Sequence, residues 1–453
     1  MESGARRGLL GAGVVVAALC AAGGVRADGG ELPPWTEPSD VPLPDTVRSV
    51  IARRTEVAIY SAPTTLSARR GSAIEGARFS FFGSQRGSGC QGRWLLVGPV
   101  AWICQDVADP SPAEPALAPL PRADNGLPYR YFYAGKEGAS GYFNLARAQD
   151  DAPDQELEPG WSVAIVEERV AHGERWGRTP HGKWFAMREL GPGNPFMFHG
   201  EELAGGKVDV AWIRSDRANV YSASKADKVT GTRVRFEMVR VREEKGAKDA
   251  AMIRVSDDGT PEQWIRARDL ARPTAAPPPA EVGGEAATER WIDVELASQT
   301  LVAYEGKTPV FATLVSTGRG APNSDLGTRL GVHRIWIKLL STKMDNLEKE
   351  EATHFYYIED VPWVQFFDKA IAIHGAYWHR DFGRVHSHGC VNLAPIDAQR
   401  MFFFTAPHMP KGWRAVIPAK PPSSTVAGAQ PHAAPPVTVA SGAIEQGAVV
   451  RVR

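Results

Sequence analysis

The chain has 453 residues, enough for about three or four domains at roughly 100–200 residues each. Hydrophobic residues make up 43% and charged residues 23%, as in an ordinary soluble globular protein. Lys plus Arg and Asp plus Glu both count 52, so the net charge is zero, which excludes the basic excess of a nucleic-acid binder.

Arg6 and Arg7 precede an apolar run over residues 9–22, followed by Val25-Arg26-Ala27 with short side chains three and one before a cut. This pattern predicts a secretory signal peptide, residues 1–27. Two alternatives stay open. One is a retained membrane anchor, for which the run is short. The other is a lipoprotein cut before Cys20, against which Leu19 is bulky. No later stretch is apolar and long enough to span a bilayer, so no span is expected after cleavage. An exported chain, in the periplasm or cell envelope, is the expectation.

Export changes what the cysteines mean. Cys20 leaves with the signal. Cys90 and Cys104 lie close together in one apparent module and are expected to form a disulfide closing a short loop. Cys390 is left alone, and an unpaired cysteine in an exported chain is either buried and inert or reactive.

Residues 28–48, rich in Pro and Asp, read as a linker. Over 49–108, short strand-like runs such as Val57-Ala58-Ile59-Tyr60 and Trp94-Leu95-Leu96-Val97 are broken by Gly and Ser, which is all-β patterning. A Pro/Ala linker is expected over 109–126, and further β modules over 127–192 and 208–272. These look like repeats. Arg93-Trp94 lies eight residues before Trp102, and Arg175-Trp176 eight before Trp184. Trp102, Trp184 and Trp264 each open a similar ending, closing on Asp106-Val107, Glu189-Leu190 and Asp269-Leu270. The modules resemble bacterial SH3-like domains; generic β spacers are the alternative. Residues 273–289 form a Pro/Ala linker, 290–418 a last domain, and 419–453 a disordered tail of Pro, Ala, Ser and Val.

The last domain opens as a β-meander: Ile292, Val294 and Leu296 alternate with polar residues, 301–304 return, and 310–315 form a third strand. Another strand-like run covers 331–339. The charged stretch 345–351 is a loop or short helix on a solvated face.

Four of the eleven histidines, His374, His379, His386 and His388, then fall within fifteen residues, and Cys390 follows. An imidazole, His374 or His388, can take a thiol proton and lower its pKa. Gly389 lets backbone amides approach a substrate carbonyl. A helix over 394–404 just after Cys390 would further favour thiolate. Two alternatives remain: zinc held by His374, His386, His388 and Cys390, and an inert buried cysteine.

This string resembles the catalytic motif of the L,D-transpeptidases, the YkuD-type domain. It stands as His374-Gly375, an eleven-residue spacer, then Ser387-His388-Gly389-Cys390-Val391-Asn392. Val315-Ser316-Thr317-Gly318 is similar to the family's Val-Ser-Thr-Gly. Thr328-Arg329-Leu330-Gly331 stands where the family has Thr-Pro-x-Gly, and the departure at Arg329 affects only a turn. The resemblance covers about 130 of the 453 residues.

The resemblance implies a mainly β, sandwich-like catalytic domain after about three small SH3-like modules. It implies Cys390 as nucleophile, His374 as base and the Gly375 carbonyl as orienter of that imidazole. His388, Gly389 and Cys390 would line an oxyanion site through backbone N–H groups. Ser387 and Asn392 would hold the loop or touch substrate, and Tyr377, Trp378 and Arg380 would lie along the cleft. The substrate class implied is the peptidoglycan stem tetrapeptide, with D-alanine released, a thioester formed and an amine acceptor giving a 3→3 cross-link. Water or a protein lysine are alternative acceptors, and a wall-binding scaffold with an idle site is the non-enzymatic alternative. No metal or organic cofactor is implied, and carbapenem sensitivity is.

Overall fold

The structure is a computed structural model that describes residues 39–40, 42–117, 120, 124–149, 152–247, 250–282, 288–345, 357–418 and 444–453. The expected signal peptide, most of the charged stretch after Asp345, and residues 419–443 lie outside the described residues. The described chain is mainly β, with one α-helix of ten residues.

The C-terminal domain is built from β1 (Arg290–Glu295), β2 (Thr300–Glu305), β3 (Thr308–Leu314), β4 (Gly331–Arg334), β5 (Ile337–Asp345), β6 (Tyr357–Asp368), β7 (Ile371–Gly375), β8 (Val391–Leu393), α1 (Pro395–Phe404), β9 (Trp413–Val416) and β10 (Val449–Val452). The meander β1–β2–β3 is antiparallel, with Ile292 opposite Ala303 and Val302 opposite Ala312. The run expected over 331–339 is two strands, β4 and β5, in different sheets.

One sheet runs β3-β2-β1-β10-β4. The other places β8 beside β7, β7 beside β6, and continues through β5 to β9. Ile292, Val294, Leu301 and Phe311 of the first sheet face Leu340, Trp363, Ile373 and Val391 of the second, with Met401 and Phe402 of α1 between them. This is a β-sandwich core with one helix inserted. Pro395 at its first turn starts α1 with its missing N–H at an otherwise unsatisfied position. Buried Lys338 donates from Nζ to the Thr405 carbonyl at 2.7 Å, so its side chain caps the other helix end.

Strand β10 corrects an expectation. The chain end is not a disordered tail throughout: residues 449–452 lie in the middle of the first sheet. They pair parallel to β1, Ile292 with Val450, and antiparallel to β4, His333 with Val450. Val449, Val450 and Val452 are all buried because both faces of that sheet are covered.

The second face is covered by the third β module. Trp291, Tyr304 and Leu314 pack there against Val210 and Trp212 of the module and Phe198 of the segment before it. The other two modules extend the second sheet at its edges. Arg69–Ala73 pairs with β9, Gly71 opposite Val416, and Ser162–Ile165 meets β6 at Ile358. A Cβ on Gly71 would stand 2.0 Å from the Ala415 carbonyl oxygen, so this junction requires glycine.

All three modules end alike, in a strand, a 3₁₀ turn and a strand. The sets are Ala101–Cys104, Gln105–Val107 and Ala108–Ser111; Trp184–Ala186, Met187–Glu189 and Leu190–Pro192; and Trp264–Arg266, Ala267–Asp269 and Leu270–Ala271. Trp102, Trp184 and Trp264 are buried at the same place in each. Cys90 and Cys104 are bonded to each other in the first module.

The linkers are not loose spacers. Residues 109–111 belong to a strand, and the Ala116 N–H donates to Arg78 at 2.9 Å. Tyr304 Oη accepts from the Ala276 N–H at 3.0 Å, and Val282 is buried. Their backbone polar groups find partners on folded neighbours, which Pro-rich composition alone does not reveal.

Candidate active site

The site is made where β7 and β8 run parallel. Their register sets His374 beside Asn392 and Gly375 beside Leu393. Side chains alternate along a strand, so His374 and Asn392 share the face opposite Ile373 and Val391, which enter the sandwich core. Cys390, two residues before Asn392, returns to the His374 face. Its packing agrees: Cys390 and Trp378 both lie against the cluster of Val361, Val364 and Ala372. Trp378 also stacks on the His374 ring, 5.8 Å between centroids. Thiol and imidazole thus share one apolar wall.

His374 is buried, and its Nδ1 lies 3.1 Å from the Gly375 carbonyl. A carbonyl only accepts, so Nδ1 carries the proton and Nε2 is the basic nitrogen. Burial pushes this imidazole down to about 4, against the smaller opposing effect of that carbonyl. Cys390 is partly exposed, and burial of its sulfur pushes the thiol up to about 11. The resting pair is therefore neutral thiol and neutral imidazole. This corrects the expectation of a lowered thiol pKa. The helix contribution fails as well, because β8 separates Cys390 from the first turn of α1.

The neutral pair has a measurable signature. Only thiolate is alkylated, so the iodoacetamide rate at Cys390 should climb about tenfold per pH unit from 7 to 10. It should show no break near 6.5, since His374 stays neutral down to about 4. The rate is read by mass spectrometry with Cys390→Ala as the blank. A plateau beginning near neutrality would instead mean a thiolate–imidazolium pair.

The loop carrying Cys390 is held by the segment Ser316-Thr317-Gly318. Ser316 and Asn392 exchange both backbone hydrogen bonds at 2.9 Å, and the Ser387 N–H donates to the Thr317 carbonyl at 3.0 Å. Thr328 Oγ1 donates to the Gly389 carbonyl at 2.8 Å and accepts from the Gly318 N–H at 2.9 Å. Gly389 has φ of 130°, a conformation side chains rarely adopt. Its N–H, expected at the oxyanion site, donates instead to Ser387 Oγ at 3.1 Å. Gly389 serves the loop through its backbone shape. The His388 side chain is exposed.

Tyr377 departs from its expected place along the cleft. It is buried, donates to Ser162 Oγ at 2.7 Å and packs on Tyr131 at 4.2 Å, so it joins the catalytic domain to the second module. Trp378 lies against the His374 ring and the same apolar cluster as Cys390. Arg380 is exposed and lies over the Phe196 ring at 5.5 Å.

His379 is a residue the motif reading passed over. Its Nδ1 accepts the Asp381 N–H at 3.1 Å, which leaves the proton on Nε2. That nitrogen lies 2.9 Å from Asn392 Nδ2 while Asn392 Oδ1 is buried without a partner, so with Nε2 as donor the amide is assigned the flipped orientation that brings Oδ1 to receive the proton. His379 thereby orients Asn392 beside His374. Its signal in the sequence was membership of the histidine cluster, without a place in the motif. The structure does not gather His374, His386, His388 and Cys390 into one ligand set. The grouping it forms there is His379, Asp381 and His386, in which both His379 nitrogens are already engaged.

The described domain is a mainly β sandwich that presents a cysteine and a histidine on one apolar wall. Residues 289–417 match the YkuD L,D-transpeptidase catalytic domain family, so this chain carries a catalytic domain of that family. A search of curated proteins finds no match. Among solved structures, a mutant L,D-transpeptidase of Enterococcus faecium is 20% identical over 29% of this chain and 50% of its own, with a TM-score of 0.23. An L,D-transpeptidase from Stackebrandtia nassauensis is 21% identical over 39% and 60%, with a TM-score of 0.22. One from Mycobacterium smegmatis is 13% identical over 48% and 99%, with a TM-score of 0.24. The chain thus spans half of the Enterococcus structure and three fifths of the Stackebrandtia structure.

Proposed function

We propose that this chain is a peptidoglycan L,D-transpeptidase of the cell envelope with Cys390 as its nucleophile. The observation that carries this reading is the sharing of one wall by Cys390 and His374 inside a domain of this family. Cys390 Sγ attacks the carbonyl of the third residue of a stem tetrapeptide as its proton passes to His374 Nε2. The tetrahedral intermediate collapses, the carbon–nitrogen bond to D-alanine breaks, and His374 returns the proton to the leaving amine. A thioester remains. An acceptor amine attacks it, gives its proton to His374, and Sγ leaves and is reprotonated. Acid–base assistance of this kind supplies roughly 10²–10⁴-fold in rate. Starting from a neutral pair, no charge has to be buried before substrate arrives.

The acceptor is a second stem amine in this reading, giving a 3→3 cross-link. Export would follow from residues 1–27, and the three modules would position the catalytic domain on the wall. Incubating the purified chain with a stem tetrapeptide tests the reaction. The expected result is free D-alanine, a chain heavier by the tripeptide acyl group, and a cross-linked dimer when a second stem is added. Tripeptide without dimer would mean water as acceptor. Absence of both D-alanine release and acylation would overturn the proposal.

A further inference from the structure

Away from the Cys390 wall, the second module meets the catalytic domain through a polar cluster that the reaction does not use. His181 lies on the turn joining Glu174–Arg178 to Trp184–Ala186. Glu359 and Asp360 lie near the start of β6. One donor atom from each of these three residues falls within 4.8 Å of the others. His181 Nε2 and Asp360 Oδ1 are 3.3 Å apart. Donors on a tetrahedral cation with bonds of about 2.0–2.2 Å stand roughly 3.3–3.6 Å apart.

Two further observations make this more than a gathering of acids. Glu359 is 3% exposed and Asp360 0%, yet Glu359 Oε2 and Asp360 Oδ2 are buried without a hydrogen-bond partner. A carboxylate oxygen in that state is costly unless something positive meets it. Successive residues of a strand also normally point to opposite faces. Asp360 has φ of 56°, in the left-handed region, which breaks the alternation and lets both acids converge.

The nearby donors meet Asp360 at one oxygen and leave the other without a partner. Arg414 Nη2 is 3.7 Å from Asp360 Oδ1, and Ser341 Oγ donates to the same oxygen at 2.6 Å. Both therefore serve Oδ1, not Oδ2. Lys183 is bonded to Gln155 and Lys343 to Asp345. An imidazole with two carboxylates suits zinc better than calcium or magnesium, which favour all-oxygen sets. His181 keeps its side chain 31% exposed, which gives an ion and a water as fourth ligand a path in.

We propose that His181, Glu359 and Asp360 form a Zn²⁺ site that staples the second β module to the catalytic domain. The staple acts on β6, the strand paired with the one that carries His374, Gln365 opposite Ile373. Zinc there fixes the module against the sheet that builds the active site, and takes no part in the acyl transfer.

The full chain, stripped with chelator and dialysed against Zn²⁺ alone, tests this by metal analysis and calorimetry. One zinc per chain is expected. His181→Ala, on a partly exposed turn, should fold normally by circular dichroism and bind at least about tenfold more weakly. Glu359→Gln should weaken binding similarly. His386→Ala, in the separate His379–Asp381–His386 grouping, should leave zinc affinity unchanged. A chain that takes up no zinc, or a His181→Ala chain with unaltered affinity, would overturn the proposal. So would loss of zinc in His386→Ala alone.

Discussion

Deleting residues 444–453 should unfold the catalytic domain. Strand β10 stands between β1 and β4, so its removal opens two ladders at once. Three buried valines, Val449, Val450 and Val452, contribute roughly 1.5–3 kcal/mol each. Asp293 is 1% exposed and is held by Arg451 Nε at 2.5 Å and Arg453 Nε at 2.8 Å. Without both arginines it becomes a buried charge with no partner, which costs about 3–5 kcal/mol. The sum is comparable to a whole domain's stability of about 5–15 kcal/mol. Thermal unfolding followed by circular dichroism should show the truncated chain losing the catalytic-domain transition, with D-alanine release lost as well. A peptide spanning 444–453 should partly restore both. A truncated chain with the full chain's melting temperature would mean that β10 is peripheral. The same argument makes residues 290–418 an incomplete domain, although the sequence pattern marks them as the whole of it.

That error shows what sequence patterning can reach. Alternation over 292–296 and the apolar returns after it gave the meander because the pairing partners are a few residues apart. The spacing of Trp102, Trp184 and Trp264 marked a shared strand–turn–strand ending because a buried Trp needs the same local frame each time. Strand β10 is four residues long and follows a low-complexity stretch, and its partner β1 lies more than 150 residues earlier. No local period can announce such a pairing. The site divides in the same way. Cys390, His374 and the loop glycine Gly389 are legible because their chemistry is tied to residue type. The neutrality of the resting pair is not, since it comes from burial among Val361, Val364, Ala372 and Trp378, drawn from three separate segments. The resemblance puts Tyr377 along the cleft, but its hydroxyl is claimed by Ser162, 215 residues away.

Replacing Cys390 by Ala should abolish turnover and leave the fold intact. The thiol is partly exposed, and its contact with the Ala370 carbonyl, at 3.9 Å, is weak. Its loss should cost no more than about 1 kcal/mol of stability. Removing a nucleophile costs far more in rate, on the order of 10⁴-fold or greater. D-alanine release should therefore vanish at an unchanged melting temperature. Intact mass after exposure to a carbapenem should show an adduct on the wild-type chain and none on Cys390→Ala. His374→Gln separates the two halves of the argument. With the thiol already neutral at rest, His374 acts by taking its proton during attack, so this variant should keep ordinary iodoacetamide alkylation at pH 10 and lose acylation at pH 7. If Cys390→Ala still released D-alanine, the nucleophile would lie elsewhere. If His374→Gln were acylated at the wild-type rate, the proton would be leaving by another route.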